Sequence, residues 1–304
     1  MDLNSILLIV AALAPAVALC IFIFIKDRVE KEPIGLLLLL LGLGAFICFP
    51  AAKIETVLTG GIDKLFSTLT YEYEGELYMN TTPYRFYLFS TNFIGIALVE
   101  EGLKFLVMFF ITRNNKNFNS LFDGLIYAVF VSLGFAALEN VLYVIQLGWQ
   151  VAILRALMSV PGHMFFAVMM GYYYSMWHMF EKAHRYEKGL KNAGVIPQSV
   201  KEFSEIKYLA LSLIVPIGIH GFYDYCCEYG STYSTIALYA LVIFLYIYCF
   251  RKVFKLSKGD MSDEAYSSAL VLLKYPQLVD SLQARTAQDQ TTADAAGPYI
   301  HLNQ

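Results

Sequence analysis

Long apolar runs, bounded by short polar or charged segments, dominate this chain. An α-helix rises 1.5 Å per residue, so about twenty apolar residues cross the roughly 30 Å hydrocarbon layer of a bilayer. Runs at about 4–25, 34–52, 88–112, 122–147, 150–178, 206–227 and 232–250 predict seven such helices. The expected fold is an all-α, polytopic transmembrane helix bundle. The first run does not read as a secretory leader, because Met1-Asp2-Leu3-Asn4 is uncharged or acidic and Lys26, Arg28 and Lys31 follow the run instead. Residues 53–87, rich in Tyr, Thr and Glu, suit a small hairpin or an interfacial helix, and 179–207 form a charged connection. After Lys258 the membrane pattern stops. Residues 260–283 suit one amphipathic helix, while 284–304, rich in Ala, Thr, Gln and Asp, read as disordered. No internal repeat is evident.

Composition supports that pattern. Of 304 residues, 58% are hydrophobic and 15% charged, with a mean hydropathy of +0.54. A soluble chain carries about 25% charged residues, so the apolar excess must face lipid. A net charge of −3 and a pI near 6.0 leave no basic surface for nucleic acid. Cys20, Cys48, Cys226, Cys227 and Cys249 are odd in number, lie in or beside apolar runs and lack metal-site spacing, so they read as reduced packing residues.

Lys and Arg are unevenly shared between the connections. Loops 26–33, 113–121 and 179–207 and the stretch after 250 hold fifteen; the alternate side has only Lys53, Lys64 and Arg85. Positive charge stays on the cytoplasmic side, which predicts the N-terminus outside and the C-terminus in the cytoplasm, as an odd number of spans requires. Two parts follow: a transmembrane domain over 1–258, which also carries the candidate chemistry below, and a cytoplasmic tail over 259–304.

Six ionisable residues interrupt the apolar runs: Glu100, Glu101, Lys104, Glu139, His163 and His220. Each charge near a bilayer centre costs about 2.5 to 3.5 kcal/mol on insertion scales, so such residues mark function more often than packing. Glu100 and Lys104, at i and i+4, can pair on one helix face, with Glu101 about 100° round. A pair that only pins two helices is the plain alternative, but it leaves the second acid without a partner. Asp123 suits an N-cap for the fourth span. Small residues at 128, 132, 134, 136 and 137 would let a neighbouring helix come close. Asn140 beside Glu139 could hold that acid or a substrate carbonyl, and Arg155 could pair with Glu139 or snorkel.

His163 follows Pro161-Gly162, and His220 follows Pro216 and Gly218, so both are expected just past a helix break. Asp224, four residues beyond His220, can fix its tautomer. His178, His184 and His301 read as ordinary interface or tail residues. Measured along their helices, Glu100, Glu139, His163 and His220 fall within a band of roughly 6 to 8 Å. They therefore predict a single site, open toward the outer half of the bilayer.

In order along the chain, these motifs resemble the PrsW-type intramembrane proteases, relatives of the type II CAAX prenyl proteases. The resemblance covers about 12–250. It comprises Ala14-Pro15 through Asp27-Arg28, Glu30 and Glu32-Pro33; Glu-Glu-x-x-Lys at 100–104; the long motif from Asp123-Gly124 to Glu139-Asn140; Arg155 with His163; and His220-Gly-Phe-Tyr-Asp224. Ala128 and Ser132 stand where the family usually has Gly. The resemblance implies a bacterial, multi-pass plasma-membrane protease that cuts a single-span membrane protein, such as an anti-sigma factor, near its extracytoplasmic side. It implies Glu100 as the water-activating carboxylate with His163 assisting, and His220 with Asp224 as oxyanion-stabilising groups. Glu101 and Glu139 match family acids without a defined role.

Two versions of that chemistry stay open on sequence. One is metal-free, with water held between Glu100 and His163. The other uses Zn²⁺ held by His163 and His220 with a carboxylate from Glu100, Glu101 or Glu139. No His-Glu-x-x-His motif decides between them. A proton-coupled transporter or a sensor is the non-enzymatic alternative, although a transporter would be expected to show related halves.

Overall fold

A computed structural model describes residues 3–28 and 30–279, so the expected disordered stretch 284–304 lies outside the described residues. The described chain is helical nearly throughout. Helices α1 (Leu3–Lys26), α2 (Ile34–Phe46) and α3 (Cys48–Phe66) lead to a hairpin of β1 (Thr70–Tyr73) and β2 (Glu76–Met79). Next come α4 (Thr81–Phe89), a π-helical stretch (Ser90–Ala97) and α5 (Leu98–Thr112), which together form one unbroken rod. Helices α6 (Asp123–Leu147), α7 (Trp149–Leu157), α8 (Ser159–Asn192), α9 (Ile206–Tyr229), α10 (Thr232–Lys258) and α11 (Asp263–Lys274) complete the described chain.

Among the described residues, six helical stretches are long and apolar enough to cross a membrane: Leu3–Lys26, Ile34–Leu69, Asp123–Leu147, Trp149–Asn192, Ile206–Tyr229 and Thr232–Lys258. The rod through α5 is the expected third span. It is long and helical but carries Glu100, Glu101 and Lys104, and it is not one of the six. The second run is far longer than its apolar core suggests, because α3 continues through Lys53 and Glu55 to Phe66. The connection expected over 53–87 is thereby shortened to a two-stranded hairpin. Its turn places Glu74 at φ 54° and Gly75 at φ 82°, the two positive values that a type I′ turn requires.

Two compact units divide the chain. The first contains residues up to His178 together with Glu205–Ser262; the second contains Met179–Ser204 and the chain from Asp263. In the first, α6 is the central helix, and every residue from Asp123 to Ala136 is buried. A helix apolar all round must be surrounded, and α1, α2, α5 and α8 supply its neighbours. The small residues expected to allow close approach do so. A Cβ added to Gly134 would sit 2.0 Å from the Leu41 carbonyl oxygen, and one added to Gly44 would sit 2.0 Å from that of Val131. The outward faces remain apolar, as with Val10, Val17 and Ile21 on α1 and Ile243, Phe244 and Ile247 on α10.

At one end of this unit the segments after α1, before α6 and after α10 meet. Asp123 does not cap α6, contrary to the sequence expectation. Its carboxylate turns back to accept from the Asn119 and Ser120 amides, at 2.8 and 2.6 Å, and from the Ser120 hydroxyl at 2.6 Å. The competing donors of the preceding turn take the group that would have bonded the first helical amides. Asp260 Oδ2 lies 3.0 Å from the same Ser120 hydroxyl, and Tyr127 donates to Glu32, at 2.8 Å. Burial, then the neighbouring Asp123 carboxyl, push the Glu32 carboxyl up to about 8.

In the second unit, Glu187 is the buried anchor. It accepts from the Phe203 amide at 2.7 Å, from Lys274 at 2.5 Å and from the Tyr275 hydroxyl. The amphipathic helix expected over 260–283 is the shorter α11, which closes before Pro276 because proline cannot continue the hydrogen-bond ladder.

Candidate active site

The helix carrying Glu100 gives the site its first fixed point. The π-helical turns at Ser90–Ala97 immediately precede α5, and such turns accommodate one extra residue in the helix. They pack against α9: a Cβ on Gly221 would lie 2.7 Å from the Phe93 ring. His220, the residue before that glycine, is brought beside Glu101 in this way.

Lys104 is the hub. Its Nζ, fully buried, donates to Glu100 Oε2 at 2.8 Å and Glu101 Oε1 at 2.9 Å, and lies 3.1 Å from His163 Nδ1. Three N–H groups thus meet three acceptors. With Nδ1 accepting, the His163 proton sits on Nε2 and is donated to Glu139 Oε2 at 3.0 Å; this tautomer is assigned from the hydrogen-bond network. The same Glu139 oxygen accepts from Arg155 at 2.8 Å.

His220 lies between two carboxylates, with Nδ1 3.0 Å from Glu101 Oε1 and Nε2 3.1 Å from Asp224 Oδ2. The two imidazole rings are 5.5 Å apart, centre to centre. The expected convergence is therefore realised: Glu100, Glu101, Lys104, Glu139, Arg155, His163, His220 and Asp224 form one connected network from α5, α6, α7, α8 and α9.

Two expectations need correction. Helix α9 runs through Pro216 without interruption, so His220 does not follow a break; the packed neighbours hold the helix together there. For His163 the break is real but earlier, at Met158, where φ is −121° between α7 and α8. Asn140 faces away from the site. Its amide nitrogen donates to the Ala12 carbonyl at 2.7 Å and its oxygen accepts from Arg155 at 3.0 Å, which ties α1 to α6 and braces the arginine.

A cavity of about 890 Å³ opens beside this network. Glu100, Glu139, His163, His220, Asp224 and Arg155 line it, whereas Glu101 and Lys104 stand behind them. Glu100 therefore meets the cavity, while Glu101 contacts Lys104 and His220 from behind it. Its second oxygen, Oε2, is buried and without a hydrogen-bond partner. Glu55 also lines the cavity, with a buried Oε1 lacking a partner, and sequence reasoning passed over it as part of an outer loop. Its signal was present in the helical spacing of Cys48, Ala52 and Glu55, which all face the cavity.

Among the described residues, Glu100, Glu101 and His163 offer ligand atoms within 4.8 Å of one another, the composition of a metal site. Zinc does not fit the arrangement as it stands, because the Lys104 ammonium contacts all three groups. Nor do His163 and His220, expected as zinc ligands, retain a ring nitrogen without a protein partner.

Comparison with known proteins bears on this geometry directly. Residues 32–250 match the family described as PrsW family intramembrane metalloprotease. Protease PrsW of Geobacillus kaustophilus is 32% identical over 218 residues, covering 72% of this chain and 78% of that protein. Protease PrsW of Oceanobacillus iheyensis is 30% identical, covering 79% of this chain and 92% of that protein. For Protease PrsW of Bacillus subtilis the identity is 29%, with 84% and 97% covered. No solved structure matches significantly.

Proposed function

The chain belongs to the PrsW family of intramembrane proteases, and from that premise we propose that it hydrolyses a peptide bond of a membrane-anchored substrate with water activated by Glu100. Family membership sets aside the transporter and sensor readings. One observation carries the assignment of the base: Glu100 is the acid of the 100–104 motif that lines the cavity, while Lys104 holds only its Oε2. Its position is thus fixed.

In the proposed step Glu100 takes a proton from water as the oxygen attacks the substrate carbonyl carbon. The carbonyl π electrons move to oxygen, giving a tetrahedral oxyanion. Collapse restores the carbonyl, breaks the C–N bond and passes the proton from Glu100 to the leaving amine. His163, with both nitrogens engaged, holds the cavity wall and the Glu139 carboxylate in register. His220 Nε2–H is the donor suited to the oxyanion, which would replace Asp224 Oδ2 as its acceptor; a preorganised donor in a dry site is worth several kcal/mol, roughly 2.7 to 4 in comparable cases. The Asp224 side chain is 26% exposed and so has room to yield.

The Lys and Arg distribution supports an outer N-terminus and a cytoplasmic C-terminus in a bacterial plasma membrane. Glu55, Asn92, Leu147 and Cys227 of the cavity wall lie toward the helix ends remote from the basic connections, which supports a cut near the extracytoplasmic side. A single-span protein such as an anti-sigma factor is the substrate class this favours. The test is cleavage of a transmembrane peptide by purified protein in liposomes. Glu100→Gln should lower kcat by about 10² to 10⁴-fold. Cleavage at the wild-type rate would refute the assigned base.

A further inference from the structure

The donor set of Glu100, Glu101 and His163 has the make-up of a zinc site, and the matching family is described as metalloproteases, yet the centre of the set is already filled. We propose that the Lys104 ammonium is the resident cation of this site and holds the place a metal ion would otherwise take. The inference shares its residues with the peptidase reading above, but its test reads metal content rather than cleavage.

Three features of the geometry carry it. First, distances of 2.8, 2.9 and 3.1 Å from Nζ are hydrogen-bond lengths. Zinc binds nitrogen and oxygen at about 2.0 to 2.2 Å, so a metal at that centre would require all three side chains to close in and the lysine to leave. Second, the lysine has nowhere to go. It is fully buried, with Nζ 4.2 Å from the Phe135 ring centre, and losing its partners would strand a charge away from water. Third, neither histidine has a spare ligand atom. His163 Nε2 is committed to Glu139, and His220 lies between Glu101 and Asp224.

The charge balance agrees. One ammonium stands between two carboxylates, and a divalent ion beside it would face a like charge within a few ångströms. A covalently tethered cation is also present in every folded molecule, so the site is complete without any supply of metal from outside.

The experiment is metal analysis of the full chain purified in detergent, equilibrated with Zn²⁺ and dialysed, with Co²⁺ absorption as a second probe. Wild type should retain zinc well below one equivalent. Lys104→Ala, which empties the centre but keeps Glu100, Glu101 and His163, should take up about one equivalent, with affinity at least about tenfold higher. Lys104→Met preserves the volume of the stem and serves if the alanine variant does not fold. Stoichiometric zinc in wild type, lost on His163→Ala, would overturn the proposal. So would a folded Lys104 variant that takes up no more zinc than wild type. If neither of them folds, wild-type zinc content decides alone: a substoichiometric value supports the proposal and one equivalent overturns it. Failure to cleave any peptide would count against the peptidase reading and leave the metal result standing.

Discussion

His163 Nε2 lies 3.0 Å from Glu139 Oε2, and this contact joins the ammonium of Lys104 on one side of the ring to the guanidinium of Arg155 on the other. A carboxylate behind a histidine fixes its tautomer and orientation, and removing such a partner commonly costs about 10 to 100-fold in activity. Glu139→Gln should lower kcat in that range with little change in KM, since the carboxamide keeps the shape but presents a mixed donor and acceptor. Steady-state kinetics on a transmembrane peptide would check it; an unchanged kcat would remove Glu139 from the working network.

Glu55 brings a buried acceptor without a partner to the cavity wall. An extended substrate segment offers backbone N–H groups that lose water on binding, and one of them would satisfy this oxygen. Glu55→Ala is expected to raise KM about three to tenfold while kcat holds, the pattern of lost ground-state binding. A fall in kcat at constant KM would place Glu55 in the chemical step instead.

Gly42 and Gly44 occupy one helix, two residues apart, and should respond oppositely to the same change. A Cβ at Gly44 meets the Val131 carbonyl at 2.0 Å, backbone against backbone, whereas one at Gly42 meets nothing within 4 Å. Gly44→Ala should destabilise the bundle by about 1 to 3 kcal/mol through overpacking. Gly42→Ala should be neutral or stabilising by up to roughly 1 kcal/mol, because alanine loses less backbone entropy. Denaturation in mixed micelles would separate them.

Glu32 predicts a pH dependence. Its carboxyl is raised to about 8 in the folded chain, against about 4.3 for an exposed glutamate. Between those values the folded state holds the proton and the unfolded state does not, so stability is full at low pH and declines as pH rises, by about 1.4 kcal/mol per unit from this group alone. Above about 8 its contribution stops changing. Glu32→Gln should flatten the decline in Tm between pH 5 and 8; an equally steep slope in the variant would assign the effect to other groups.

Helix positions were readable because bilayer thickness imposes a length and a composition on each span, and α1, α6 and α9 begin and end within a few residues of the apolar runs. The overlong α3 was not, since Lys53, Glu55 and Thr56 are helix-compatible residues that hydropathy alone assigns to a loop. Within the site, spacing revealed that Glu100 and Lys104 share a face. It did not reveal that Lys104 would also reach His163, 59 positions away, because that depends on how α5 and α8 pack. Asn140 shows the same limit from the other side: a neighbour of Glu139 in sequence, it points to Ala12, since successive helical residues diverge by about 100°.

The wide turns over Ser90–Ala97 carry a mechanical consequence. Bonding i to i+5 rather than i+4 stores one surplus residue between the two halves of a single rod. Excising that residue would let the turns relax to regular pitch while the two halves keep nearly their present facing. The acids would stay at the cavity and Thr81–Phe89 would keep its seat on the neighbouring helix, so the rod can lose a residue here that an ordinary helix, turning about 100° per residue, could not spare.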